Sequence, residues 1–357
     1  MIKRLIEYSI EKRAIVIFAF ILISILSIYC LKTAQVDAIP DIGENQQIIF
    51  TKWQGRSPKD IEQQVTYPLS LIMQGIPGVK NISGTSAFGF SIIYIVFDDD
   101  IDFYWSRSRV LEKISTATSS LPNDVIPQMG PDATGLGQVF WYTVENNKNV
   151  EDPKSLAELR SIQDYYVKYL LQGVDGVSEV ASIGGFVKEY QIDVDPNKLF
   201  AFDVHFSALI KAIKNSNIDV GAEVIEDGDR EFIVRGKGFF ESIDDIENVV
   251  VSVKNHSAIR VKDIASVNIG PGFRRGALDK NGIESVGGVV TMRFGENTKN
   301  VINNIKERLR VIKRGLPAGV SIVPFYDRTE IIERTMGTVY TALSEEILIT
   351  IIVIVLF

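Results

Sequence analysis

The sequence predicts an α+β protein with transmembrane helices. Two ferredoxin-like βαββαβ units stand between one full N-terminal membrane helix and a truncated second one, and a smaller subdomain is inserted in the second unit. Three observations predict this. Gly75-Ile-Pro-Gly78-Val79 returns as Gly173-Val-Asp-Gly176-Val177, each closing a helix that opens on a proline, Pro58 and Pro153. Leu121-Pro122-Asn-Asp-Val125 and Leu316-Pro317-Ala-Gly-Val320 close a later helix in each copy, but the interval from Gly173 to Leu316 is far longer than that from Gly75 to Leu121. The apolar excess lies in charge-free runs at the two ends, Ala14 to Leu31 and Ile347 to Phe357.

The first run, AIVIFAFILISILSIYCL, has about the 20-residue length that crosses a bilayer core. A signal peptide would have a shorter apolar centre and a small-residue cleavage site, which Ile28-Tyr29-Cys30-Leu31-Lys32 does not offer. Lys3, Arg4, Lys12 and Arg13 precede the run and Lys32 closely follows it, so the N-terminus is expected in the cytoplasm and Lys32 to about Met336 outside. The last run, ILITIIVIVLF, is eleven residues long and is expected to be the start of a second span that returns to the cytoplasm. The chain's 357 residues are too many for one core, so several are expected.

In the first copy, Gln47-Ile-Ile-Phe-Thr-Lys-Trp53 alternates as a strand does, and Ser57 stands as N-cap before Pro58 at the first helical position. Ile61, Val65, Leu69 and Ile72 form one helical face, with a kink expected at Pro68. Val79–Ala87 and Phe90–Phe97 read as a hairpin turning at Gly89. A second helix is expected over Ser106–Ser120, with Val110, Leu111, Ile114, Ala117 and Leu121 inward, and then a strand near Val125.

The second copy opens with a strand at Gln138–Val144, Asp152 capping Pro153, and a buried stripe of Leu156, Leu159, Ile162, Tyr166 and Leu170. Its second half resumes at Gly287–Phe294 and a helix bearing Val301, Ile305, Leu309 and Ile312. Between them a strand at Glu189–Val194, a helix at Ser207–Lys214 and hairpin-like Glu231–Arg235 and Val249–Val253 make up the inserted subdomain. Its turns fall at Asp195-Pro196-Asn197, Glu226-Asp-Gly-Asp229 and Lys254-Asn255-His256. A ferredoxin-like sheet carries its two helices on one face and needs a partner on the other, which side-by-side packing of the copies would supply.

Net charge of −7 and a pI near 5.2 argue against nucleic acid, whose phosphates demand a basic face. The one cysteine, Cys30, lies in the first apolar run, so no disulfide forms within the chain and the exported part is held by packing.

Several segments go further. Val36-Asp37-Ala38-Ile39-Pro40-Asp41, Val65-Thr-Tyr-Pro-Leu69, Arg107-Ser-Arg-Val-Leu-Glu112, Gly130-Pro-Asp-Ala-Thr-Gly135, Val180-Ala-Ser-Ile-Gly-Gly185, Val187-Lys-Glu-Tyr-Gln191 and Tyr326-Asp327-Arg328 together resemble the resistance-nodulation-division efflux pumps, and within them the copper and silver exporters of the heavy-metal branch. The resemblance covers essentially the whole chain. It implies a cytoplasmic N-terminal helix at 1–13, transmembrane helix 1 at 14–32, porter subdomain N1 at 33–130, porter subdomain N2 at 131–185 and 283–336, a docking subdomain at 186–282, and the start of transmembrane helix 2 at 337–357. It implies proton-driven efflux of heavy-metal cations, Cu(I) and Ag(I) foremost, by a homotrimer in the inner membrane of a Gram-negative bacterium. Most of this chain would lie in the periplasm, in contact with membrane lipid at its ends. The expected partners are a periplasmic adaptor (membrane fusion) protein and an outer-membrane channel, with no nucleic acid. No cofactor is expected beyond the transported metal cation and the proton gradient. The proton-carrying carboxylate and the methionine cluster of such pumps fall outside this sequence.

The same chemistry sorts the candidate residues in the chain itself. Soft Cu(I) and Ag(I) select thioether and thiolate, and zinc takes imidazole, thiolate and carboxylate. Met73 and Met292 sit in core-like patterns, while Met129 and Met336 lie in less regular surroundings. Cys30 is membrane-embedded, and His205 and His256 stand apart within the insertion. Asp98, Asp99, Asp100 and Asp102 read as a solvated loop favouring the next helix's N-terminus. Gly130, Gly135 and Gly137 lack the Gly-Lys-Ser/Thr of a phosphate loop, and no nucleophile elbow is present. No catalytic, cofactor or metal residue is therefore assigned, and the protein reads as a secondary transporter (a cation:proton antiporter), not an enzyme. Lys188, Arg230, Arg235, Lys237, Arg260, Arg274 and Arg275 are candidate contacts to a channel or a neighbouring protomer. Two other readings stay open: a zinc, cobalt or cadmium exporter, and a membrane-anchored periplasmic binding or interaction protein without transport.

Overall fold

A computed structural model describes residues 10–33, 37, 39, 42–146, 153–228, 230–254, 256–274 and 276–356. Lys3, Arg4, Val36, Ala38, Pro40, Asp41, Asp152, Asp229, Asn255, Arg275 and Phe357, used in the sequence reading, lie outside the described residues.

After helix α1 (Arg13–Thr33), the first module runs β1 (Gln46–Lys52), α2 (Pro58–Ile61), a π-helical turn (Glu62–Thr66), α3 (Tyr67–Met73), β2 (Val79–Ala87), β3 (Phe90–Phe97), α4 (Phe103–Ala117) and β4 (Ile126–Met129). Its antiparallel sheet has the order β2-β3-β1-β4, the ferredoxin-like arrangement. Ser57 caps α2 in a capping box with Asp60, its hydroxyl accepting from Asp60 N at 3.2 Å. Strand alternation sends Ile49, Ile93, Ile95 and Phe97 to one face, where they meet Ile61, Val65, Leu69, Met73 and Val110 in a closed core. Full burial of each such side chain stabilises by roughly 1.5–3 kcal/mol.

Three details differ from the sequence reading, the simplest being Leu111, expected inward but 48% exposed on the second helix. The expected kink at Pro68 is a π turn just before it: the proline ring crowds the carbonyl one turn back and the bonding slips, so Tyr67 N donates to Glu62 O. The slip carries the buried stripe from Val65 and Leu69 to Met73, leaving Ile72 only partly buried. The second helix also starts at Phe103 because Asp102 caps it, accepting from Trp105 N at 2.7 Å.

The chain continues through β5 (Gln138–Asn146), α5 (Pro153–Ile162), a second π turn (Gln163–Val167), α6 (Lys168–Gln172) and β6 (Val177–Gly184). Next come β7 (Lys188–Val194), α7 (Pro196–Ala201), α8 (Phe206–Ser216), β8 (Val220–Asp227), β9 (Arg230–Gly236), α9 (Ile243–Glu247), β10 (Val250–Lys254), β11 (Ser257–Arg260), α10 (Val261–Ile264), β12 (Ala265–Pro271) and β13 (Leu278–Lys280). It closes with β14 (Ile283–Met292), α11 (Thr298–Arg314), β15 (Val320–Asp327) and α12 (Arg328–Leu356).

Packing divides the chain into two compact units, Met1–Asn147 with Gln163–Ile183 and Gly287–Phe357, and Lys148–Ile162 with Gly184–Val286. In the first unit β14, β5 and β15 are consecutive neighbours, and β6 pairs with β14, which repeats the order of the first module. α11 buries Val301, Ile302, Ile305, Leu309 and Ile312. The second π turn turns Gln163 fully inward, where it accepts from the Tyr142 hydroxyl at 3.0 Å and donates to the Ser182 hydroxyl at 3.3 Å. Gly288 leaves room for that tyrosine: a Cβ there would stand 2.4 Å from its hydroxyl.

In the second unit α5, read in the sequence with the second module, groups with residues 184–286, its Arg160 donating to Gly184 O at 2.7 Å. The strands expected at Glu231–Arg235 and Val249–Val253 belong to different hairpins, β9 with β8 and β10 with β11, while β7 pairs with β12. Val204, Leu209, Ile246, Ile259, Val261, Ile264 and Val267 form its small core.

Among the described residues, α12 is the one helix long and apolar enough to cross a membrane, and the apolar stretch described for α1, Arg13–Ser27, is shorter. The helix α1 itself runs 21 residues, Arg13–Thr33, the length expected of the N-terminal span. Helical hydrogen bonding runs unbroken from Arg328 into the apolar run, which lengthens the second helix beyond its charge-free part. Ile15, Ile17, Phe18 and Phe20 of α1 and Ile347, Leu348 and Ile349 of α12 expose their apolar side chains, as lipid-facing helices do.

Candidate functional site

Two clusters in the first unit join elements distant in sequence. The first lies where the two modules meet, around the connecting residues 130–134. Arg107 of α4 donates to Gly130 O at 2.8 Å and to Pro131 O at 3.3 Å. From the other module, Arg293 reaches Asp132 at 3.3 Å and donates to Val177 O at 3.3 Å, and Asp132 also accepts from the Ser178 hydroxyl. Phe103 and Phe294 stack with ring centres 4.3 Å apart, and the Tyr104 hydroxyl donates to Phe294 O at 3.3 Å. Burial, followed by the Asp132 charge, raises the Tyr104 pKa.

Beside this junction is a cavity of about 410 Å³ lined by Ile42, Glu44, Asn45, Lys80, Asp99, Ile101, Phe103, Thr134 and Phe294. The junction is mostly polar and half-exposed, in contrast with the closed core of the first module. Such contacts are weak individually and resemble those between domains that shift against one another.

The second cluster lies at the base of the second module. Arg328, the first residue of α12, is 2% exposed; its Nη1 donates to Leu136 O at 2.8 Å and its Nε stands 3.4 Å from Asp37 Oδ1. Asp37 follows α1, and its other oxygen accepts from the Thr298 hydroxyl at 2.6 Å, at the start of α11. Asp327, at the end of β15, pairs with Lys306 of α11 at 2.5 Å and accepts from Thr329 N at 2.9 Å. Burial pushes the Asp327 carboxyl up, but the hydrogen bonds from Lys306 and Thr329 outweigh it and hold the group below the ordinary carboxylate value. A cavity of about 470 Å³ opens here, walled by Ile39, Leu136, Gln138, Trp141, Phe325, Tyr326 and Arg328.

Of the candidates named from the sequence, Gly130 and Asp99 stand at the first cluster and Gly135 at the second cavity, while the sulfur and imidazole groups are gathered at neither. Met73 is fully buried in the first core and Met129 packs against that core; Met292 ends β14, and Met336 lies along α12. Cys30 is on an exposed face of α1. His205 is the exposed N-cap of α8 and His256 an exposed turn residue at φ 63°. Asp98, Asp99 and Asp100 are exposed, and Gly135–Gly137 form a 3₁₀ turn before β5. Among the described residues no group of three or more His, Cys, Asp and Glu could hold a metal ion.

Of the basic candidates, Arg274 pairs with Glu284 and covers the Phe186 ring at 3.9 Å, and Arg260 donates to Asn248. Lys188, Arg230 and Lys237 are exposed. The side chain of Arg235 lies outside the described residues. Sequence reasoning assigned no role to Arg107, Asp132, Arg293, Asp37, Thr298 or Arg328. Asp37, Arg107, Asp132 and Arg328 do fall in segments that carry the family resemblance, but that likeness says nothing of their contacts.

Comparison with known proteins places this geometry. The AcrB/AcrD/AcrF family matches residues 5–357. The putative cation efflux system protein SilA of Salmonella typhimurium is 39% identical over 359 residues, covering 100% of this chain and 34% of that protein. The cation efflux system protein CusA of Escherichia coli (strain K12) is likewise 39% identical with the same coverage. The cobalt-zinc-cadmium resistance protein CzcA of Cupriavidus metallidurans is 36% identical over 361 residues, again covering 100% of this chain and 34% of that protein. A crystal structure of a heavy metal efflux pump superposes with a TM-score of 0.86 at 29% identity, over 96% of this chain and 34% of that one. The chain thus spans about a third of the length of these relatives. With family, relatives and fold in agreement over its whole length, the chain belongs to the AcrB/AcrD/AcrF family of resistance-nodulation-division transporters, in its heavy-metal efflux branch.

Proposed function

We propose that this chain is part of a proton-driven exporter of heavy-metal cations, with Cu(I) and Ag(I) as its cargo. The observation that carries the reading is the likeness along the entire chain to the cation efflux proteins SilA and CusA, slightly above that to CzcA. In this reading the first module is porter subdomain N1 and the second is N2. Their polar junction is the joint at which a cleft opens and closes, and the metal is cargo taken up by residues outside this chain. The protein works as a transporter, without catalytic residues or a cofactor, and draws on the proton gradient across the inner membrane. The modules and the insertion stand on the periplasmic side.

The same reading places the insertion against protein partners: neighbouring copies in a homotrimer, an adaptor protein and an outer-membrane channel. Support comes from the β8–β9 hairpin, a two-stranded sheet that exposes Val220, Val224, Ile225, Phe232 and Ile233. An isolated hairpin of this kind is marginal in water until its apolar surface is covered.

The test is metal survival. The complete gene, placed in a strain deprived of its own copper, silver and zinc exporters, is expected to restore growth on copper and silver and to lower their cellular content, with the effect abolished by a protonophore. Restored growth on zinc, cobalt or cadmium instead would transfer the reading to the divalent exporters, which the 36% identity to CzcA supports. A stably expressed protein that changes no metal content would return it to a binding or interaction protein.

A further inference from the structure

We propose that Arg328 and Asp37 are positioning residues that couple the membrane helix α12 to the second module, so that movement in the membrane and movement of the module are one event. The inference rests on the transport reading and adds to it the place where force passes between the two parts.

Three observations carry it. Arg328 opens α12, the helix long enough to span a membrane, and is buried; its Nη1 donates to Leu136 O, while its Nε makes no hydrogen bond and stands at ion-pair distance, 3.4 Å, from the Asp37 carboxylate. Asp37 follows α1 and bridges Arg328 to the Thr298 hydroxyl, which begins the helix packed under the second sheet. Leu136 lies between the modules, just before β5, and Asp327–Lys306 adds a second tie between the foot of α12 and α11.

A buried ion pair is a poor source of net stability, because desolvation consumes most of its attraction, yet removing one partner is costly because a charge is left unpaired. Such a pair suits a rigid link. Its members do not separate cheaply, so the foot of α12 and the start of α11 move together. By contrast, the Arg293–Asp132 contact at the module junction is half-exposed and yields more readily.

The experiment uses the full-length protein in proteoliposomes with an imposed proton gradient, measuring Ag(I) flux against Ag(I) concentration. The variants are Asp37→Asn, Arg328→Ala and Arg328→Lys. Asp37→Asn keeps the shape and one acceptor oxygen, which Thr298 can use, and removes the charge and the oxygen that faces Arg328. It is expected to lower maximal flux about tenfold while leaving the half-saturating Ag(I) concentration within about twofold, since no metal contact is touched. Arg328→Ala should behave likewise, and Arg328→Lys, which keeps the charge, should recover part of the flux.

Thermal unfolding of each purified variant separates positioning from folding. Variants that fold as the wild type and lose maximal flux support the proposal. Wild-type flux in Asp37→Asn and Arg328→Ala, or loss of flux only in proportion to loss of folded protein with no recovery in Arg328→Lys, would overturn it. Absence of proton-driven flux from the wild-type protein would overturn the transport reading itself, and this inference with it.

Discussion

The first module and the inserted region solve the same problem in opposite ways. In the first module a four-stranded sheet and its helices close on a core whose members, from Ile49 to Phe97 and Val110, are fully buried. In the unit that holds the insertion, β7–β12, β8–β9 and β10–β11 are separate two-stranded sheets around a smaller core. Phe200 is 89% exposed, Phe273 85% and Ile233 82%. The difference teaches that the module closes its own core, whereas the insertion carries exposed apolar surface of the kind found at interaction sites.

The largest effect should come from the closed core. Leu69→Ala or Ile93→Ala removes a fully buried side chain and should lower the stability of the purified protein by about 2–5 kcal/mol, read from its urea midpoint. A small effect at both positions would show that the core is looser than the burial indicates.

Next is the close approach of helix and strand. A Cβ added at Gly84 would stand 2.5 Å from Thr66 Cγ2, while the Thr66 hydroxyl bonds to Ser86 and Ser91 at 2.7 and 2.8 Å. Gly84→Ala should therefore cost about 1–3 kcal/mol, and Thr66→Ser in the same chain, which deletes the offending methyl but keeps the hydroxyl, should restore most of it. Equal losses in the single and double variants would place the strain elsewhere.

A smaller effect is expected at Asp327, and it depends on pH. The carboxyl titrates below the ordinary value of 3.8 in the fold, so its contribution is present above that pH and is lost as the pH falls through the lower folded value. Asp327→Asn should be less stable than the wild type near neutrality, by about 1 kcal/mol or less, and the gap should close in strong acid. A gap that persists unchanged at low pH would remove the Lys306 pair as its cause.

The smallest effect on stability should come from the hairpin. Phe232→Ser with Ile233→Ser alters exposed positions and should change unfolding by no more than about 0.5 kcal/mol. The same pair should lower the fraction of assembled protein seen by light scattering. Unchanged assembly would mean that a partner other than a second copy covers this surface.

Much of the first module could be read from the sequence because its signals are local. Pro58 and Gly75 to Gly78 punctuate the first helix, and the apolar stretch Phe90–Phe97 with the turn at Gly89 marks the hairpin that forms between Val79 and Phe97. The π turns were not legible. Pro68 explains the first, but the second occurs without a proline, and Gln163 reaches Tyr142 and Ser182, residues distant from its own helix. The pairing of β9 with β8 was also hidden, since Val220–Asp227 mixes apolar with acidic residues and has no clean alternation. The two candidate clusters were beyond sequence reasoning for the same cause. Arg107, Asp132 and Arg293, or Asp37, Thr298 and Arg328, are far apart along the chain and acquire a role only when the modules and helices bring them together. Asp102 shows the reverse case: the acidic run read as favouring a helix start does supply the cap.

The most direct test of the whole account is Ag(I) and Cu(I) flux by the full-length protein reconstituted in vesicles, measured with and without a proton gradient. The account predicts metal movement that follows the gradient, reverses with its sign and stops when it is collapsed. Metal movement indifferent to the gradient, or none in a correctly folded and assembled protein, would contradict it.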